Sequence, residues 1–254
     1  DDGNGFTDDV HGYDFASDDN DPDDESGHGT HVSGIIGAVG DNALGVTGVN
    51  WQVQLLPLRV GDDTLSTSAI VDALDYVTAL REEHGHPIIA TNNSYGGPDG
   101  SDFVREAIER QRDAGILFVA AAGNEDLNND EFPSYPANHP VDNILSVAAT
   151  DTGGEALANY SNYGPATVEL AAPGTSILST DRGGAYTYKS GTSMAAPFVA
   201  GGLALLHALD PTVTAASLRD TLLAGADSRP GLAQWVAGGR FLDLATAALA
   251  LDPQ

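Results

Sequence analysis

The sequence from Ser190 to Leu206 reads SGTSMAAPFVAGGLALL and places one serine, Ser193, between a tight glycine turn and an apolar run of small residues. The run predicts a helix that begins close to this serine. Unpaired N–H groups and the positive end of the macrodipole favour negative charge at a helix N-terminus. An oxyanion that forms beside Ser193 would therefore be stabilised, and Ser193 is a candidate nucleophile.

A serine hydroxyl is a weak nucleophile until a neighbouring base takes its proton. The most suggestive base is His28, in the segment GHGTHVSG at residues 27–34. A third segment, ILFVAAAGN at residues 116–124, is an apolar strand that ends on glycine and asparagine. Asn124 is the candidate side-chain donor to the oxyanion.

Taken in order, HGTHVSG, AAAGNE and SGTSMAAPFVAGG closely resemble the motifs of the subtilisin-like serine proteases, the subtilase family, and the resemblance covers essentially the whole chain. It implies that His28 is the general base, that Asn124 supplies the oxyanion hole and that Ser193 attacks. The implied enzyme is a secreted, extracellular endopeptidase of broad specificity that works through an acyl-enzyme. We expect polypeptide substrates, a propeptide and a monomer.

The family places its third catalytic residue, an aspartate, upstream of the histidine, on a strand that ends in Asp-Thr-Gly or Asp-Ser-Gly. Residues 1–27 contain no such motif and resemble an acidic insert of certain subtilases. We therefore expect one peptidase domain over residues 1–254 that lacks its N-terminal strand and the aspartate. Loss of the orienting carboxylate costs roughly 10⁴-fold in turnover, so the chain should be weak or inactive alone. The alternative is a pseudoprotease, a peptide-binding module without catalysis.

Strand-like and helix-like segments alternate along the chain, which predicts an α/β fold with a mostly parallel sheet between two layers of helices. Continuous apolar runs of strand length are typical of buried parallel strands. The predicted strands are 51–60, 87–94, 116–122 and 143–150, and the predicted helices are 28–39, 67–83 and 101–114.

Ligands bind beyond the carboxyl ends of parallel strands, and two polar segments, at residues 93–97 and 122–124, fall at such ends. The resemblance implies a specificity pocket with one wall from Ser94, Tyr95 and Gly96, the other from Ala122 and Gly123, and Ser134 at its base. These small residues favour a large apolar or aromatic substrate side chain. The loop at residues 61–68 resembles an edge that pairs with extended substrates through main-chain bonds, which give little sequence selection.

Two polar segments predict structural calcium, and no catalytic cofactor is expected. Asp2, Asn4 and Asp8 alternate as in an EF-hand-type loop, although an Asn–Asp turn rich in glycine is also typical of a solvated loop. The segment DNALGV at residues 41–46 resembles a second calcium loop of the family, with Asn42 as a ligand. His31 lies three positions after His28 without a zinc motif, and the resemblance implies a structural role for it.

Acidic residues number 37 against ten basic ones, which gives a net charge of −27. This charge disfavours nucleic acid as a partner and causes self-repulsion, which salt screens within about 10 Å at 0.1 M and about 3 Å at 1 M. A saline habitat is the leading interpretation, and a GC-rich genome with ordinary surface acidity is the alternative. No run of 18 apolar residues is present, so no membrane span is expected, and the absence of cysteine excludes disulfides.

Overall fold

The computed structural model describes residues 4–62 and 64–251, which contain ten strands and six α-helices. The strands are β1 (Tyr13–Asp14), β2 (Leu58–Arg59), β3 (Ala90–Asn93), β4 (Leu117–Ala121), β5 (Ile144–Thr150), β6 (Leu170–Pro173), β7 (Ile177–Asp181), β8 (Ala185–Lys189), β9 (Asp227–Ser228) and β10 (Arg240–Phe241). The helices are α1 (His28–Gly37), α2 (Thr67–Glu82), α3 (Asp102–Asp113), α4 (Thr192–Leu209), α5 (Ala215–Gly225) and α6 (Leu244–Leu251).

The central sheet has the strand order β3-β4-β5-β6-β10-β9. The first five strands are parallel, and β9 pairs with β10 in the antiparallel direction at one edge. Every residue of β4 and β5 is buried, because helices cover both faces of the sheet. The prediction of an α/β fold with a mostly parallel sheet is confirmed.

Helix α4 lies against the sheet and contacts β3, β4, β5 and β6. The side chains of Val199, Leu203 and Leu206 have 0% exposure. Within the described residues, α4 is the one helix long and apolar enough to cross a membrane. Its burial in the core accounts for its apolar composition.

Helix α1 packs very closely on the hairpin formed by β7 and β8. A Cβ atom at Gly34 would lie 2.1 Å from Thr180 Oγ1 and 2.4 Å from Ser179 Oγ, so only glycine permits this approach. The Ser179 hydroxyl donates to the carbonyl of His31 at 2.7 Å. The His31 ring Nε2 lies 3.0 and 3.1 Å from two main-chain carbonyls of the hairpin. The hairpin therefore fixes the start of α1, where His28 lies.

The predicted strand at residues 51–60 is wrong for most of its length. Only Leu58–Arg59 is a strand, and it pairs with Tyr13–Asp14 rather than with the central sheet. Leu55 and Leu56 are 41% and 39% exposed. An apolar run forms a buried strand only where a neighbouring strand satisfies its backbone, and in the described structure no strand lies between this segment and β3.

The other predicted elements are confirmed with shifted ends. Helix α1 ends at Gly37, two residues early, and β3 begins at Ala90 rather than at residue 87. Helix α3 ends at Asp113, one residue early, and Gly115 follows its C-cap residue Ala114 with a left-handed φ of 73°. Strands β6, β7 and β8, between residues 170 and 189, are not among the predicted strands, because runs of four or five residues give an ambiguous periodic signal.

Candidate active site

Ser193 is the second residue of α4 and lies at the carboxyl end of β3. Its hydroxyl donates to the main-chain oxygen of Ser94 at 3.2 Å. In return, the Ser94 hydroxyl donates to the main-chain oxygen of Ser193 at 2.9 Å. These reciprocal bonds join the end of the strand to the beginning of the helix and hold the candidate nucleophile at the edge of the sheet.

The side-chain amide of Asn124 is held in one orientation by Thr192. The backbone N–H and the hydroxyl of Thr192 both contact the Oδ1 atom of Asn124, at 2.8 and 3.1 Å. Because the amide oxygen is engaged, its NH₂ group is the end left to donate beside Ser193. The motif alone does not single out Thr192, although this residue directly precedes Ser193.

Gly123 lets the chain turn sharply before Asn124. Its φ is 116°, and a Cβ atom there would lie 2.2 Å from Nδ2 of Asn162. The Asn162 side chain also accepts from the backbone N–H of Glu125 at 2.9 Å. A side chain at position 123 would therefore displace the segment that presents the Asn124 amide.

His28 is the first residue of α1 and is half-buried. Burial lowers its pKa, and the neighbouring Lys189 ammonium lowers it further, so the ring is neutral near pH 7 as a base must be. His28 and Ser94, whose main-chain oxygen accepts from the Ser193 hydroxyl, both line one cleft. The Ser193 hydroxyl donates to Ser94 rather than to His28, and catalytic hydrogen bonds are often unformed without substrate.

Asp24 caps the beginning of α1. Its Oδ1 atom accepts from the backbone N–H groups of Ser26 and Gly27, at 2.9 and 2.8 Å. Its Oδ2 atom accepts from the backbone N–H and the hydroxyl of Thr30, at 2.6 and 2.7 Å. Burial would raise the pKa of Asp24, but these bonds outweigh it and lower the pKa to about 2.

Both oxygens of Asp24 are therefore engaged, and neither orients the His28 ring. No ring atom of His28 bonds to a carboxylate within the described residues. The expectation that residues 1–27 lack the orienting aspartate stays a prediction, and the motifs alone do not reveal this cap. An acidic residue just ahead of a helix start is the signal that points to such a cap.

The residues of the expected specificity pocket fall in two groups. Gly96 and Ser134 come together, since a Cβ atom at Gly96 would lie 3.4 Å from Ser134 Oγ. Ala122 and Gly123 follow β4 directly, and the Gly123 N–H donates to the Thr192 hydroxyl at 3.2 Å beside the nucleophile. Each segment thus brings main chain and small side chains to the carboxyl edge of the sheet.

Tyr95 differs from the other pocket residues because its side chain turns towards the core. Its hydroxyl donates to Asn93 Oδ1 at 3.0 Å, and its ring packs against the cluster that contains Ile70 and Leu74. Burial raises the pKa of the Tyr95 hydroxyl. Only the main chain of Tyr95 is free to line a substrate pocket.

The residues named for calcium do not converge on a metal site. The side-chain oxygens of Asn4 and Asn42 each accept from a backbone N–H two residues further on, as in ordinary turns. The Asn4 amide donates to Asp9, and Asp8 is exposed. No three His, Asp or Glu residues cluster to hold a metal in the described part of the chain. Asp2 lies outside the described residues, so calcium stays a prediction from the sequence.

A cleft of ≈ 1530 Å³ separates residues 53–60 from β3, and His28 lies on its lining. Apolar side chains of α1, α2 and α4 form its walls, among them Val32, Ile36, Ile70, Val77 and Ala200. The outer edge of β3 is unpaired in the described structure. On the opposite side, no main-chain hydrogen bond reaches residues 53–56 among those described.

A serine at a helix N-terminus and an anchored amide at one edge of a parallel sheet, with a neutral histidine on the lining of the adjoining cleft, are the parts of a serine peptidase site. A model of the subtilase family matches residues 1–239. The chain belongs to the subtilase family, as its three motifs predicted.

Individual relatives agree with this assignment. The chain is 38% identical over 216 residues to subtilisin DY of Bacillus licheniformis, which covers 84% of this chain and 75% of the relative. It is 34% identical over 233 residues to thermitase of Thermoactinomyces vulgaris, which covers 91% of this chain and 78% of the relative. The match spans 50% of some other relatives, such as subtilisin E of Bacillus subtilis.

Solved structures show the same fold. The crystal structure of a cold adapted subtilisin-like serine proteinase superimposes with a TM-score of 0.80 at 31% identity. The match covers 92% of this chain and 80% of that chain. A subtilisin-like fold is therefore shown together with the family.

Proposed function

We propose that residues 1–254 form a single peptidase domain in which Ser193, His28 and Asn124 hydrolyse peptide bonds through an acyl-enzyme. The observation that carries this proposal is the anchoring of the Asn124 amide oxygen by Thr192, directly beside the nucleophile. A donor fixed before the substrate arrives costs no reorganisation when the oxyanion forms. This anchoring supports an oxyanion hole more directly than any single motif does.

The chemistry follows from these groups. His28 takes the proton of Ser193 Oγ as that oxygen bonds to the scissile carbonyl carbon. The carbonyl oxygen becomes an oxyanion, which the Asn124 NH₂ group and the Ser193 N–H stabilise. His28 then gives the proton to the leaving amine, the C–N bond breaks, and water hydrolyses the acyl-enzyme by the same steps in reverse order.

We infer that the protease has broad specificity with a preference for a large apolar side chain before the cleaved bond. The small residues Gly96, Gly123 and Ser134 and the absence of a cation in these segments support this preference. Family membership supports polypeptide substrates, a propeptide, a monomer and an extracellular location. The net charge of −27 supports a saline habitat and argues against nucleic acid as a partner.

We also infer that the His28 ring is completed by a carboxylate on an extended segment in the cleft beside β3. The apolar walls from three helices would bury such a segment on both faces, which is the environment of an apolar parallel strand. The unpaired edge of β3 offers main-chain partners, and His28 lies on the lining of the same cleft. Without that segment, the described residues are expected to be weak or inactive.

A matched pair of extended chains tests this inference. One chain carries an added apolar strand that ends in Asp-Thr-Gly, and the other carries the same strand ending in Asn-Thr-Gly. Both should raise the melting temperature because both fill the cleft. Only the aspartate form should gain turnover, by roughly 10⁴-fold over the asparagine form, because the amide cannot hold the correct histidine tautomer. Equal turnover of the two forms would overturn the inference.

The nucleophile is tested in the aspartate form by labelling with a fluorophosphonate. Ser193→Ala should abolish the label, and Ser190→Ala, which removes a hydroxyl three residues away, should keep it. A label that survives Ser193→Ala would discard the proposed nucleophile. No label in any form, together with peptide binding, would favour the alternative of a pseudoprotease.

Structural calcium is retained as a proposal that rests on the sequence of the two loops. Calcium requires about six to eight oxygen ligands, more than the described residues bring together. Addition of Ca²⁺ to chelator-treated protein should raise the melting temperature, and an unchanged value at millimolar Ca²⁺ would remove calcium from the proposal.

A further inference from the structure

Two of the ten basic residues lie on the β7–β8 hairpin, directly beside the start of α1. Arg182, in the turn, donates to the carbonyl of Glu25. Lys189, the last residue of β8, donates from Nζ to the carbonyl of Gly27 at 3.1 Å. The hairpin therefore fixes the Lys189 ammonium next to the residue that precedes His28.

The charge of Lys189 is not neutralised by an ion pair. Within the described residues, neither Lys189 nor Arg182 has a carboxylate oxygen within the 4.0 Å of a salt bridge, although six of the nine arginines do. Two acidic side chains lie at this end of α1 and bond to other groups: Asp24 caps α1, and Asp181 accepts from the backbone N–H of Arg182. An ammonium has three N–H donors, so two remain after the bond to Gly27.

The position of Lys189 relative to the reaction follows from the role of His28. The histidine hands its proton to the leaving amine, so the residue that follows the cleaved bond departs on the His28 side of Ser193. The specificity pocket of Gly96, Ser134 and Gly123 serves the residue before the cleaved bond. Lys189 is bonded to the residue that precedes His28, so it places a fixed cation beside the ring that passes its proton to the leaving residue.

We propose that Lys189 is a specificity-determining residue that favours Asp or Glu immediately after the cleaved bond. This inference rests on the proposed peptidase function and adds a substrate preference to it. A substrate carboxylate would take the free N–H groups of Nζ. In a chain of net charge −27, acidic peptides are repelled in general, so an uncompensated cation at this point confers local selectivity.

The test uses the chain extended with the strand that ends in Asp-Thr-Gly, and three peptides that differ only in having Glu, Gln or Lys after the cleaved bond. Without further substitution, this extended chain should cleave the Glu peptide with a kcat/KM about two- to fivefold above that of the Gln peptide, the range of an exposed ion pair. Its kcat/KM for the Lys peptide should be the lowest of the three. Lys189→Gln keeps a donor for Gly27 and should abolish the preference, whereas Lys189→Glu should reverse it. The preference should shrink in 1 M NaCl, where the screening length is about 3 Å.

The matched control is Arg219→Gln, which removes one positive charge from α5, remote from the site, and should leave the preference unchanged. Equal kcat/KM values for the three peptides in the parent would overturn the inference while the peptidase function stands. If no peptide is cleaved, the peptidase function fails, and the dissociation constants of the three peptides for the Ser193→Ala variant test whether Lys189 favours an acidic residue. Equal dissociation constants would then overturn the inference about Lys189.

A second readout is independent of turnover. Burial lowers the pKa of His28, the Lys189 ammonium lowers it further, the Asp24 carboxylate raises it, and His31 is the other titratable group that acts on the ring. Histidine NMR should therefore show a higher pKa for His28 in the Lys189→Gln variant than in the protein that keeps Lys189. The Arg219→Gln control should leave the pKa of His28 unchanged. An unshifted His28 would show that the ammonium is remote from the ring and would contradict the geometry on which the inference depends.

Discussion

Asp24→Ala is expected to destabilise the protein and to loosen the start of α1. The substitution removes a carboxylate that accepts five hydrogen bonds, two from Ser26, one from Gly27 and two from Thr30. Three of the donors are backbone N–H groups at or near the first turn of the helix that carries His28. These groups must then turn to water, because the other side-chain cap described at this end of α1, the Ser26 hydroxyl, accepts from a different N–H, that of His28, at 3.1 Å.

The magnitude follows from the pKa of Asp24, which falls from 3.8 to about 2. At about 1.4 kcal/mol per pH unit this fall would correspond to more than 2 kcal/mol. Because the side chain is partly exposed, solvent screening reduces the expected loss to about 1 to 2 kcal/mol, the usual cost of losing a cap. At roughly 2 to 4 °C per kcal/mol, the melting temperature should fall by about 2 to 8 °C.

Urea unfolding in the Ser193→Ala background, which prevents self-digestion, measures this difference. A carboxylate with a lowered pKa stabilises the fold above its unfolded pKa of 3.8, and this contribution is lost as pH falls towards 2. The free energy of unfolding of the Ser193→Ala protein should therefore exceed that of its Asp24→Ala derivative by the full amount at pH 7. This gap should close between about pH 4 and pH 2.

Asp23→Ala is the matched control, because this neighbouring carboxylate is exposed and accepts no hydrogen bond in the described structure. It should change the free energy of unfolding by less than about 0.5 kcal/mol. A gap below that value for Asp24→Ala at pH 7, or a gap that persists unchanged at pH 2.5, would refute the reasoning.

Three further outcomes are expected. In the chain extended with the Asp-Thr-Gly strand, Asn124→Leu should lower kcat by about 10² to 10³-fold with little change in KM, because the proposed role of the amide is to stabilise the oxyanion; a change in KM alone would contradict this role. The melting temperature should rise as NaCl increases from dilute to molar, since salt screens the repulsion of 37 acidic residues, and a fall would refute the halophilic interpretation. Burial raises the pKa of Glu169 to about 7. A raised pKa stabilises the fold below the unfolded value of 4.5, and this contribution is lost as pH rises through 7. The change in the free energy of unfolding caused by Glu169→Gln should therefore be more favourable at pH 8.5 than at pH 5, by about 1 to 3 kcal/mol. Equal changes at both pH values would contradict the raised pKa of Glu169.

The sequence by itself determined the family, the fold class and the residues nominated for catalysis. Helix α4 and strands β4 and β5 are predicted from local apolar runs, because the length and composition of such a run indicate a buried element without reference to its partners. The helix start at His28 and the turn at Gly123 follow from short motifs for the same reason. These features need no knowledge of which distant segments meet.

Only the tertiary structure decided how the groups are held. Thr192 and Asn124 are 68 positions apart, and Lys189 and Gly27 are 162 apart, so no periodicity in the sequence relates them. Residues 51–60 show the same limit. Their apolar run predicts a buried strand, but most of the segment is exposed because, in the described structure, no strand of the central sheet pairs with it. Local patterns reveal which residues favour burial, whereas the partner of each polar group or strand edge is set by the packing of the whole chain.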